Sequence, residues 1–209
     1  MVLVMIQELL YELRHRELEE HKREPEVYWI TDLCRCPLKR DFELRYPELT
    51  EANVYNPHFI IGDLVHMGLV EVLKRARAIN LHNFEIEAEI ENSRELIIGN
   101  KRAIVKGRVD VIMRSDNEKI GIEIKTSKRD TKIPHENHIQ QCRLYLWLFD
   151  LDYMLLLYLT PDRITEYKIE KRASEEEVIS LLSDRTAPRY TWECSYCLFA
   201  VMCPNKITG

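Results

Sequence analysis

The sequence predicts a mixed α/β fold, in which a central sheet is flanked by helices. Two observations lead to this class: apolar residues recur at helical spacing near residues 57–79 and 134–149, and they alternate with polar residues between those segments. The chain has 209 residues, of which 45% are hydrophobic. That composition is enough for one substantial core and too little to argue for two, so we expect a single domain.

The chain should begin with an amphipathic helix over residues 3 to 23. A heavily charged segment follows apolar residues at helical spacing, namely Leu3, Ile6, Leu10, Tyr11 and Leu13. Both an oligomerisation arm and a surface helix packed on its own domain fit this pattern, the second being the more common. Because Gln7 and Glu8 interrupt the apolar opening, we expect neither a secretory signal nor a membrane span, and hence a soluble, cytoplasmic protein.

Two further helices should precede the sheet. Pro37 favours a short helix at about residues 38–46. Asn56 and Pro57 supply an N-cap and a first helical proline, so a longer helix should begin there and run to about Ile79. The residues expected to face the core are Ile61, Val65, Leu69, Val72 and Leu73, and His66 lies beside them.

The middle of the chain changes to the alternating pattern typical of strands. The strand-like pieces cover residues 84–90, 96–98, 103–105, 109–113 and 120–124. Turn-forming residues separate them at Gly99-Asn100 and at Ser115-Asp116-Asn117. We expect these pieces to form a meander of antiparallel strands.

The rest of the chain continues the mixed pattern. A helix is expected from about Pro134 to Phe149, followed by strands at residues 153–159 and 165–169. Ser174, followed by three glutamates, is typical of a helix N-terminus, because the hydroxyl caps the helix and acidic residues complement its dipole.

Asp110, Glu123 and Lys125 form the candidate catalytic group. Side chains two apart on a strand share a face, and the turn after Asp110 should fold the next strand back so that Asp110 approaches Glu123. Two close carboxylates repel unless a cation lies between them, and these hard oxygen ligands suit Mg²⁺ or Mn²⁺. Such a metal would activate water and polarise a phosphoryl oxygen, with Lys125 orienting that water or offsetting negative charge. The alternative is a surface salt bridge between Glu123 and Lys125 beside an unrelated Asp110.

Three more side chains are candidates for the same site. His66 could be a third metal ligand, although a histidine at the edge of an apolar face is more often a core residue. Gln141 and Tyr145 are four apart on a predicted helix, so they project from one side and could position a phosphate or stack a base. Ordinary helix surface with a half-buried tyrosine is the alternative for this pair.

The chain has six cysteines, which in a reducing compartment are more often metal ligands or buried thiols than disulfides. Cys194, Cys197 and Cys203, with one distant cysteine, could bind zinc through four thiolates or could bind an iron-sulfur cluster. Spacing alone does not decide between them. Cys34 and Cys36 compete for the distant position, and a cysteine that is not a ligand should be a small buried or half-buried thiol.

The net charge is −5, which gives no general attraction to a polyanion. Any binding of nucleic acid must therefore depend on metal ions and on local basic groups. Two such groups are Lys125, Lys128, Arg129 and Lys132, and Lys74, Arg75 and Arg77.

Four motifs resemble, in order, those of RecB-type nucleases of the PD-(D/E)xK superfamily: residues 62–66 (Gly-Asp-Leu-Val-His), 107–110 (Gly-Arg-Val-Asp), 123–127 (Glu-Ile-Lys-Thr-Ser) and Gln141-x3-Tyr145. With Thr31-x4-Cys36-Pro37 and the terminal cysteine triad, residues 28–204 resemble the RecB-like exonucleases among the CRISPR-associated proteins, the fourth core family. Val109 stands where the superfamily name has proline. Its side chain should point to the core, so it need not be a ligand.

The resemblance implies a RecB-like nuclease core and assigns roles to the candidate residues. Metal ligation would come from His66, Asp110, Glu123 and the backbone carbonyl of Ile124, Lys125 would be catalytic, and Gln141 and Tyr145 would assist in engaging DNA. The implied activity is Mg²⁺- or Mn²⁺-dependent exonuclease action on single-stranded DNA ends, which would process fragments before their integration as new CRISPR spacers. The alternative is a noncatalytic iron-sulfur or zinc module that binds DNA or acts as an adaptor in spacer acquisition.

The resemblance also favours an iron-sulfur cluster, [4Fe-4S] before [2Fe-2S], held by Cys36, Cys194, Cys197 and Cys203. Cys36 is chosen because it precedes a proline, as the first cysteine of the family does. The expected organisation is one nuclease domain over 1–209, with an N-terminal helix (1–27), a core (57–184) and a clasp (28–56 and 185–209) that the cluster holds in a structural role. CRISPR integrase proteins and further copies of the chain are the implied protein partners.

Overall fold

The structure is a computed structural model that describes residues 5–21, 23–77, 79 and 83–207. Its helices are α1 (Ile6–Glu20), α2 (Ile30–Leu33), α3 (Pro37–Arg45), α4 (Pro47–Glu51), α5 (Pro57–Arg77), α6 (Glu136–Phe149) and α7 (Glu175–Ser183), with short 3-10 helices at Ala52–Tyr55 and Glu193–Tyr196. Its strands are β1 (Val27–Trp29), β2 (Glu85–Ile98), β3 (Lys101–Arg114), β4 (Lys119–Thr126), β5 (Tyr153–Leu159) and β6 (Ile164–Ile169). The predicted mixed α/β class is confirmed.

A single mixed sheet organises these elements. The strand order is β1-β3-β4-β5-β6, and β2 also pairs with β3. The pairs β2–β3 and β3–β4 are antiparallel, which confirms the predicted meander, whereas β4 and β5 are parallel and are connected through α6. The predicted strand pieces on either side of Gly99 are joined into two 14-residue strands, since charged residues between them pair across the strands, for example Lys106 with Glu91 at 2.8 Å.

Each face of the sheet carries its own apolar cluster. One cluster lies between the sheet and α6 and includes Val109, Ile112 and most of α6 from Cys142 onward. The other lies under α5 and includes Val111, Ile122 and Ile124. Both faces of β4 are therefore covered, and a polar side chain on this strand lies inside the protein.

Helix α5 begins where the sequence predicts, with the side-chain oxygen of Asn56 accepting from the amide of His58 at 3.1 Å. Val65, Leu69 and Leu73 pack against the sheet as expected. Ile61 and Val72, also expected to face the core, are wrong, because they are 55% and 57% exposed. The half-buried stripe is instead continued by Val70, so the helix is rotated in a way that brings Gly62 and His66 to the sheet.

Helix α1 confirms the predicted N-terminal helix, although Leu3 lies outside the described residues. None of its described residues is buried, and ion pairs connect it to the body, including Arg14 with Asp63 and Glu17 with Arg108. This is the geometry of a surface helix on its own domain. Across the described ranges, no helix has the length and hydropathy needed to cross a membrane.

The later elements follow the sequence closely, whereas several short elements were not predicted, namely β1, α2, α4 and the two 3-10 helices. Helices α3 and α6 and strands β5 and β6 lie at the expected positions, and the Ser174 hydroxyl accepts from the amide of Glu177 at 3.2 Å. Strand β1 was not predicted, because its three residues are too few to reveal alternation. It pairs in parallel with residues 104–106 of β3.

Candidate active site and cysteine cavity

The candidate catalytic residues lie where the sheet divides. Strand β2 pairs with β3 along nearly its whole length, so β1 and β4 share the other edge of β3. On that edge β1 pairs with residues 104–106 and β4 with residues 111–114, which leaves residues 107–110 between them. Continuing the β3–β4 register by one step would set Asp110 opposite Glu123. The turn therefore folds β4 back as the sequence predicts.

The alternation of buried faces reverses at this division. On β3, Val109 belongs to the cluster under α6, whereas Val111, two residues later, belongs to the cluster under α5. On β2, Ile86 and Ile90 likewise pack on opposite faces, and Glu89 between them has φ of 55°. A left-handed backbone at a residue other than glycine costs about 1–3 kcal/mol and is common at functional sites. The reversal frees the Asp110 side chain from both apolar clusters.

Asp110 connects the two strands that separate. Its Oδ2 accepts a 2.7 Å hydrogen bond from the backbone amide of Ile124, and its Oδ1 lies 3.5 Å from Nδ1 of His66. Burial lowers the pKa of His66, but the Asp110 carboxylate more than offsets that effect, so the pKa of His66 is raised. His66 thus faces Asp110 from α5 and is not enclosed in an apolar core.

Glu123 is the most buried carboxylate of the site, at 2% exposure. Its Oε1 accepts from Lys125 Nζ at 2.5 Å and from Gln141 Nε2 at 2.8 Å. Its Oε2 is also buried and has no hydrogen-bond partner among the described residues. Burial and the nearby Asp110 charge together raise the pKa of Glu123 to about 7, against the opposing effects of Lys125 and His66. The alternative of a surface salt bridge at Glu123 is therefore wrong.

Lys125, Gln141 and Tyr145 surround the Glu123 carboxylate. Burial lowers the pKa of Lys125, but the charges of Glu123 and Asp110 raise it by more than that. The pKa of Lys125 is therefore raised, and the amine is an ammonium ion at neutral pH. Gln141 also donates to the Tyr145 hydroxyl at 3.1 Å, and that hydroxyl donates to the carbonyl oxygen of Arg108 at 2.7 Å. Since Gln141 and Tyr145 are 5% and 3% exposed, neither is ordinary helix surface.

The donor set suits a hard divalent cation. The Glu123 Oε2 atom has lone pairs that no described group satisfies, and the adjacent Asp110 carboxylate makes a positive charge at this point favourable. Within the described part of the chain, no three His, Cys, Asp or Glu side chains are already arranged to hold a metal ion. The side chains would therefore have to turn toward an ion as it binds.

The six candidate side chains of the site line one cavity of about 820 Å³, namely His66, Asp110, Glu123, Lys125, Gln141 and Tyr145. Its walls also include residues of α1 and of the segment from β1 to α4. The described lining has seven carboxylates and three Lys or Arg side chains, so it is strongly acidic: Glu17, Glu43, Glu51, Asp63, Glu89, Asp110 and Glu123 against Arg23, Arg108 and Lys125. A polyanion could enter such a cavity only with the help of bound cations or of the few basic side chains.

Sequence reasoning gave no role to several residues of this cavity, among them Arg108, Glu89 and Glu17. Arg108 Nε lies 2.9 Å from Oε2 of Glu89, and Arg108 Nη2 donates to Glu17 Oε1 at 2.7 Å. One signal for Arg108 was present, because it lies two residues before Asp110 on the same strand. No local pattern indicated that Glu17 of the N-terminal helix would reach the site.

The four predicted cluster cysteines line a second cavity of about 210 Å³. Cys36 comes from the N-terminal side, and Cys194, Cys197 and Cys203 come from the C-terminal segment. Burial raises the pKa of the Cys36 thiol, while the backbone amides of Lys39 and Leu38 at the start of α3 oppose that rise. Such amides are suitable donors to a metal-bound sulfur.

Cys34 and Cys142 lie elsewhere, in the core cluster under α6, where they are 5% and 0% exposed. Burial raises the pKa of both thiols, so both are protonated at neutral pH. They are buried thiols and take no part in the lining of the cysteine cavity.

Glu193 joins the two halves of the cysteine cavity. Its Oε1 accepts from the backbone amide of Cys36 at 2.7 Å, and its Oε2 accepts from the backbone amide of Tyr190 at 2.8 Å. Arg189 adds a second connection, since its Nε donates to the carbonyl oxygen of Arg35 at 3.1 Å. One carboxylate thus connects segments that are 157 residues apart in sequence.

Comparison with known proteins places this geometry in context. No protein-family model matches the chain. The chain is 43% identical over 209 residues to the CRISPR-associated exonuclease Cas4 of Saccharolobus solfataricus, with 98% of this chain and 100% of that protein covered. It is also similar to the crystal structure of SSO0001, with a TM-score of 0.90, 41% sequence identity and 98% of each chain covered.

Proposed function

The chain belongs to the family of CRISPR-associated Cas4 exonucleases, and from this premise we propose that it is a Mg²⁺- or Mn²⁺-dependent deoxyribonuclease that degrades single-stranded DNA from its ends. The observation that carries the metal dependence is the Glu123 carboxylate. One of its oxygens is buried without a partner, beside a second carboxylate and an ammonium group. Such a combination suits metal-assisted phosphodiester hydrolysis, because negative charge develops on the phosphoryl oxygens and on the leaving group.

His66, Asp110, Glu123 and the backbone carbonyl of Ile124 would hold the ion. When bound, Mg²⁺ or Mn²⁺ would polarise a phosphoryl oxygen and lower the pKa of a coordinated water. The Ile124 amide donates to Asp110 Oδ2, which fixes that carboxylate at the point where β3 and β4 separate. His66 contacts the other oxygen of the same carboxylate.

Lys125 acts as a cation, because its raised pKa keeps the ammonium group protonated at neutral pH. It would donate to the phosphate or to the attacking water and offset the developing negative charge. The resemblance implies that Gln141 and Tyr145 assist in engaging DNA, and their burial supports an indirect part in this, as positioning residues. Gln141 holds Glu123 Oε1, and Tyr145 anchors Gln141 to the backbone of β3.

The cysteine cavity supports a further part of the proposal, an iron-sulfur cluster with a structural role. Four thiols from both ends of the chain line one small cavity, with Leu38, Phe42 and Trp192 among its walls. Cysteine thiolates in such a setting are typical ligands of [4Fe-4S] or [2Fe-2S] clusters, and a cluster there would connect the two ends beside the nuclease core.

The cellular role we propose is the trimming of DNA fragments before their integration as CRISPR spacers, in association with integrase proteins. The family name supports a place in CRISPR systems. Copurification with the integrase subunits, and altered spacer lengths in a strain carrying Lys125→Ala, would be the expected results. Unaltered spacer lengths would instead favour an adaptor role.

Digestion of single-stranded DNA labelled at the 5′ or the 3′ end, with and without Mn²⁺, tests the activity. When Mn²⁺ is present, the wild-type chain should release the label at once from the end that it attacks. The substrate labelled at the opposite end should give a ladder of progressively shorter strands. Asp110→Asn and Lys125→Ala should reduce the rate by at least about 10²-fold. Lys168→Ala, on an exposed position of β6, is the matched control. If Lys125→Ala digests DNA like the control, the catalytic assignment is wrong.

Iron, sulfide and zinc assays on an anaerobic preparation separate the cofactor from the activity. A brown chain with iron and sulfide that digests DNA fits the proposal. A zinc-containing or brown chain that is inert toward every DNA end would favour the noncatalytic DNA-binding module.

A further inference from the structure

Among the Lys and Arg side chains that line the described active-site cavity, Arg108 is the one whose carboxylate partners are most exposed to solvent. Lys125 is held by Glu123, whose side chain is 3% exposed, and Arg23 faces Asp32 and Glu43, whose side chains are 1% and 8% exposed. The carboxylates on Arg108 are of a different kind, since the side chains of Glu17 and Glu89 are 45% and 47% exposed. Water and ions can reach these two contacts, so they can be exchanged for other ligands.

The guanidinium of Arg108 also presents a suitable geometry for an oxyanion. Its Nε faces Glu89 at 2.9 Å and one terminal nitrogen faces Glu17 at 2.7 Å, while the other lies 3.3 Å from Nε2 of His21. Arginine binds carboxylates and phosphates through the same planar set of donors. A carboxylate on this group therefore occupies a place that a phosphate of the DNA backbone could take.

The element that supplies Glu17 is held in a way that allows its displacement. Helix α1 has no fully buried residue in its described range, and ion pairs connect it to the rest of the chain. Its ring contacts, Tyr11 with Tyr55 and Arg14 over Phe59, lie on the N-terminal side of Glu17. Glu17, Leu18 and His21 form part of the cavity wall, so the C-terminal part of this helix lies over the same space as Asp110 and Glu123. A ligand that enters the cavity must meet this helix.

We propose that Arg108 is a phosphate-binding subsite for the DNA backbone, and that Glu17 of α1 occupies this subsite when no DNA is bound. When a DNA strand enters, one of its phosphates would replace the Glu17 carboxylate on Arg108. The contact that holds α1 at this point would then be released. The inference rests on the proposed function for the identity of the polyanion. It adds a substrate-positioning residue and a built-in competitor to that function.

A double-mutant cycle on DNA affinity tests this exchange. Binding of a labelled single-stranded oligonucleotide is measured in EDTA, and again with Ca²⁺, for the wild-type chain, Glu17→Gln, Arg108→Ala and the double variant. Glu17→Gln should bind about threefold to fivefold more tightly, because the competing charge is gone. Arg108→Ala should bind about tenfold more weakly, and the slope of log K against log salt should fall by about 0.7, as expected for one lost phosphate contact with a single strand.

The control for general charge is Glu12→Gln, which makes the same change on the same helix at a residue paired with Arg16. The decisive result is the dependence of one effect on the other. In the Arg108→Ala background, Glu17→Gln should change affinity no more than Glu12→Gln does. If Glu17→Gln tightens binding equally with and without Arg108, the exchange is refuted. Arg108→Gln provides a second background in case Arg108→Ala does not fold, as judged by circular dichroism.

Cleavage measured separately with Mn²⁺ distinguishes this inference from the proposed function. A chain that shows the coupling but cuts no DNA would contradict the nuclease and support the subsite. A chain that cuts DNA but shows no coupling would contradict the subsite. Failure to bind the oligonucleotide in both buffers would also overturn the subsite.

Discussion

The two carboxylate oxygens of Glu123 have different surroundings, and this difference makes Glu123 a candidate metal ligand. One oxygen accepts from Lys125 and Gln141, and the other is buried without a described partner. A fully paired carboxylate would stabilise the fold but would leave nothing with which to bind an ion. Glu123 is therefore suited to a ligand that the polypeptide itself does not supply.

The affinity for Mn²⁺ should depend on pH near neutrality. The pKa of Glu123 is raised to about 7, so in the metal-free chain this group is protonated below that pH and charged above it. A proton and a metal ion compete for the same oxygens, and affinity should therefore fall by at least about tenfold for each pH unit below 7. Protonation of His66, whose pKa is also raised, should steepen this fall. The electron paramagnetic resonance signal of free Mn²⁺ measures the bound fraction. Affinity that does not change from pH 6 to pH 8 would contradict this pKa, and Glu123→Gln should lose most of the binding.

Glu193 is the carboxylate that connects the two segments of the cysteine cavity, and both of its oxygens are paired. Its two oxygens accept from the amides of Cys36 and Tyr190, and an amide side chain can replace only one of these acceptors. Glu193→Gln should therefore loosen the cavity and speed the loss of iron to a chelator by about tenfold, the lower end of the range for outer-shell substitutions. Absorbance at the visible band of the cluster follows the loss. The exposed Glu175→Gln is the control, and equal rates in the two variants would show that Glu193 does not support the cluster.

At the scale of elements, the site depends on how β3, β4 and α6 approach one another. Gly107 lies in the stretch of β3 between β1 and β4, and a Cβ atom there would come within 2.8 Å of Ile30 and Leu148 and 2.9 Å of Tyr145. The absence of a side chain allows α6 to lie close enough for Tyr145 to reach the Arg108 carbonyl. The motif glycine is thus explained by close packing and not by an unusual backbone angle.

Gly107→Ala should disturb the catalytic group through this contact. The added methyl must displace Ile30, Leu148 and Tyr145, which should destabilise the fold by about 1–3 kcal/mol. It should also lower DNA cleavage, because Tyr145 holds Gln141 on Glu123. Urea denaturation and the cleavage rate measure the two effects. Gly68→Ala is the matched control, since no atom lies within 4 Å of a Cβ placed at that helical glycine. Equal stability of the two variants would contradict the tight approach.

Most elements could be predicted because their signals are local. Asn56-Pro57, Ser174 with its glutamates, and Gly99-Asn100 act within a few residues, and each marks an observed boundary. What could not be predicted depends on contacts that are distant in sequence. The rotation of α5 that exposes Ile61 is set by the sheet, and the reversal of faces at Asp110 is set jointly by β2 and β3.

The same distinction holds for the candidate site. The proximity of Asp110 to Glu123 and Lys125 could be predicted from spacing on adjacent strands, because register follows from a short turn. Glu17 reaches Arg108 across 91 residues of sequence, and no periodicity reports such a contact. Burial of Glu123 likewise follows from α6 covering that face of β4, which the pattern of β4 alone does not reveal.

At the scale of the whole molecule, both ends of the chain return to the same region. Cys36 and the segment from Cys194 to Cys203 line one cavity, and the ion pair between Asp41 and Arg185 lies across the same two segments. Strands β2 to β6 and helices α5 to α7 lie between these two segments in sequence. A cofactor held by all four thiols would therefore close a loop that contains nearly the entire core, and its loss should affect the stability of the whole chain.

Comparison of Cys36→Ala with Cys34→Ala tests this arrangement. The two cysteines are two positions apart in sequence, but Cys36 lines the cysteine cavity whereas Cys34 lies in the core cluster under α6. Cys36→Ala should abolish the brown colour and lower the free energy of unfolding by about 4–5 kcal/mol, the magnitude for releasing a loop of more than 100 residues. Cys34→Ala should keep the colour and the iron content and should cost about 1 kcal/mol, since it removes one small buried group. Iron assays and urea denaturation under nitrogen measure both quantities. Loss of colour in Cys34→Ala with retention in Cys36→Ala would mean that the N-terminal ligand is the buried thiol, and the chain would then have to open its core to bind the cofactor.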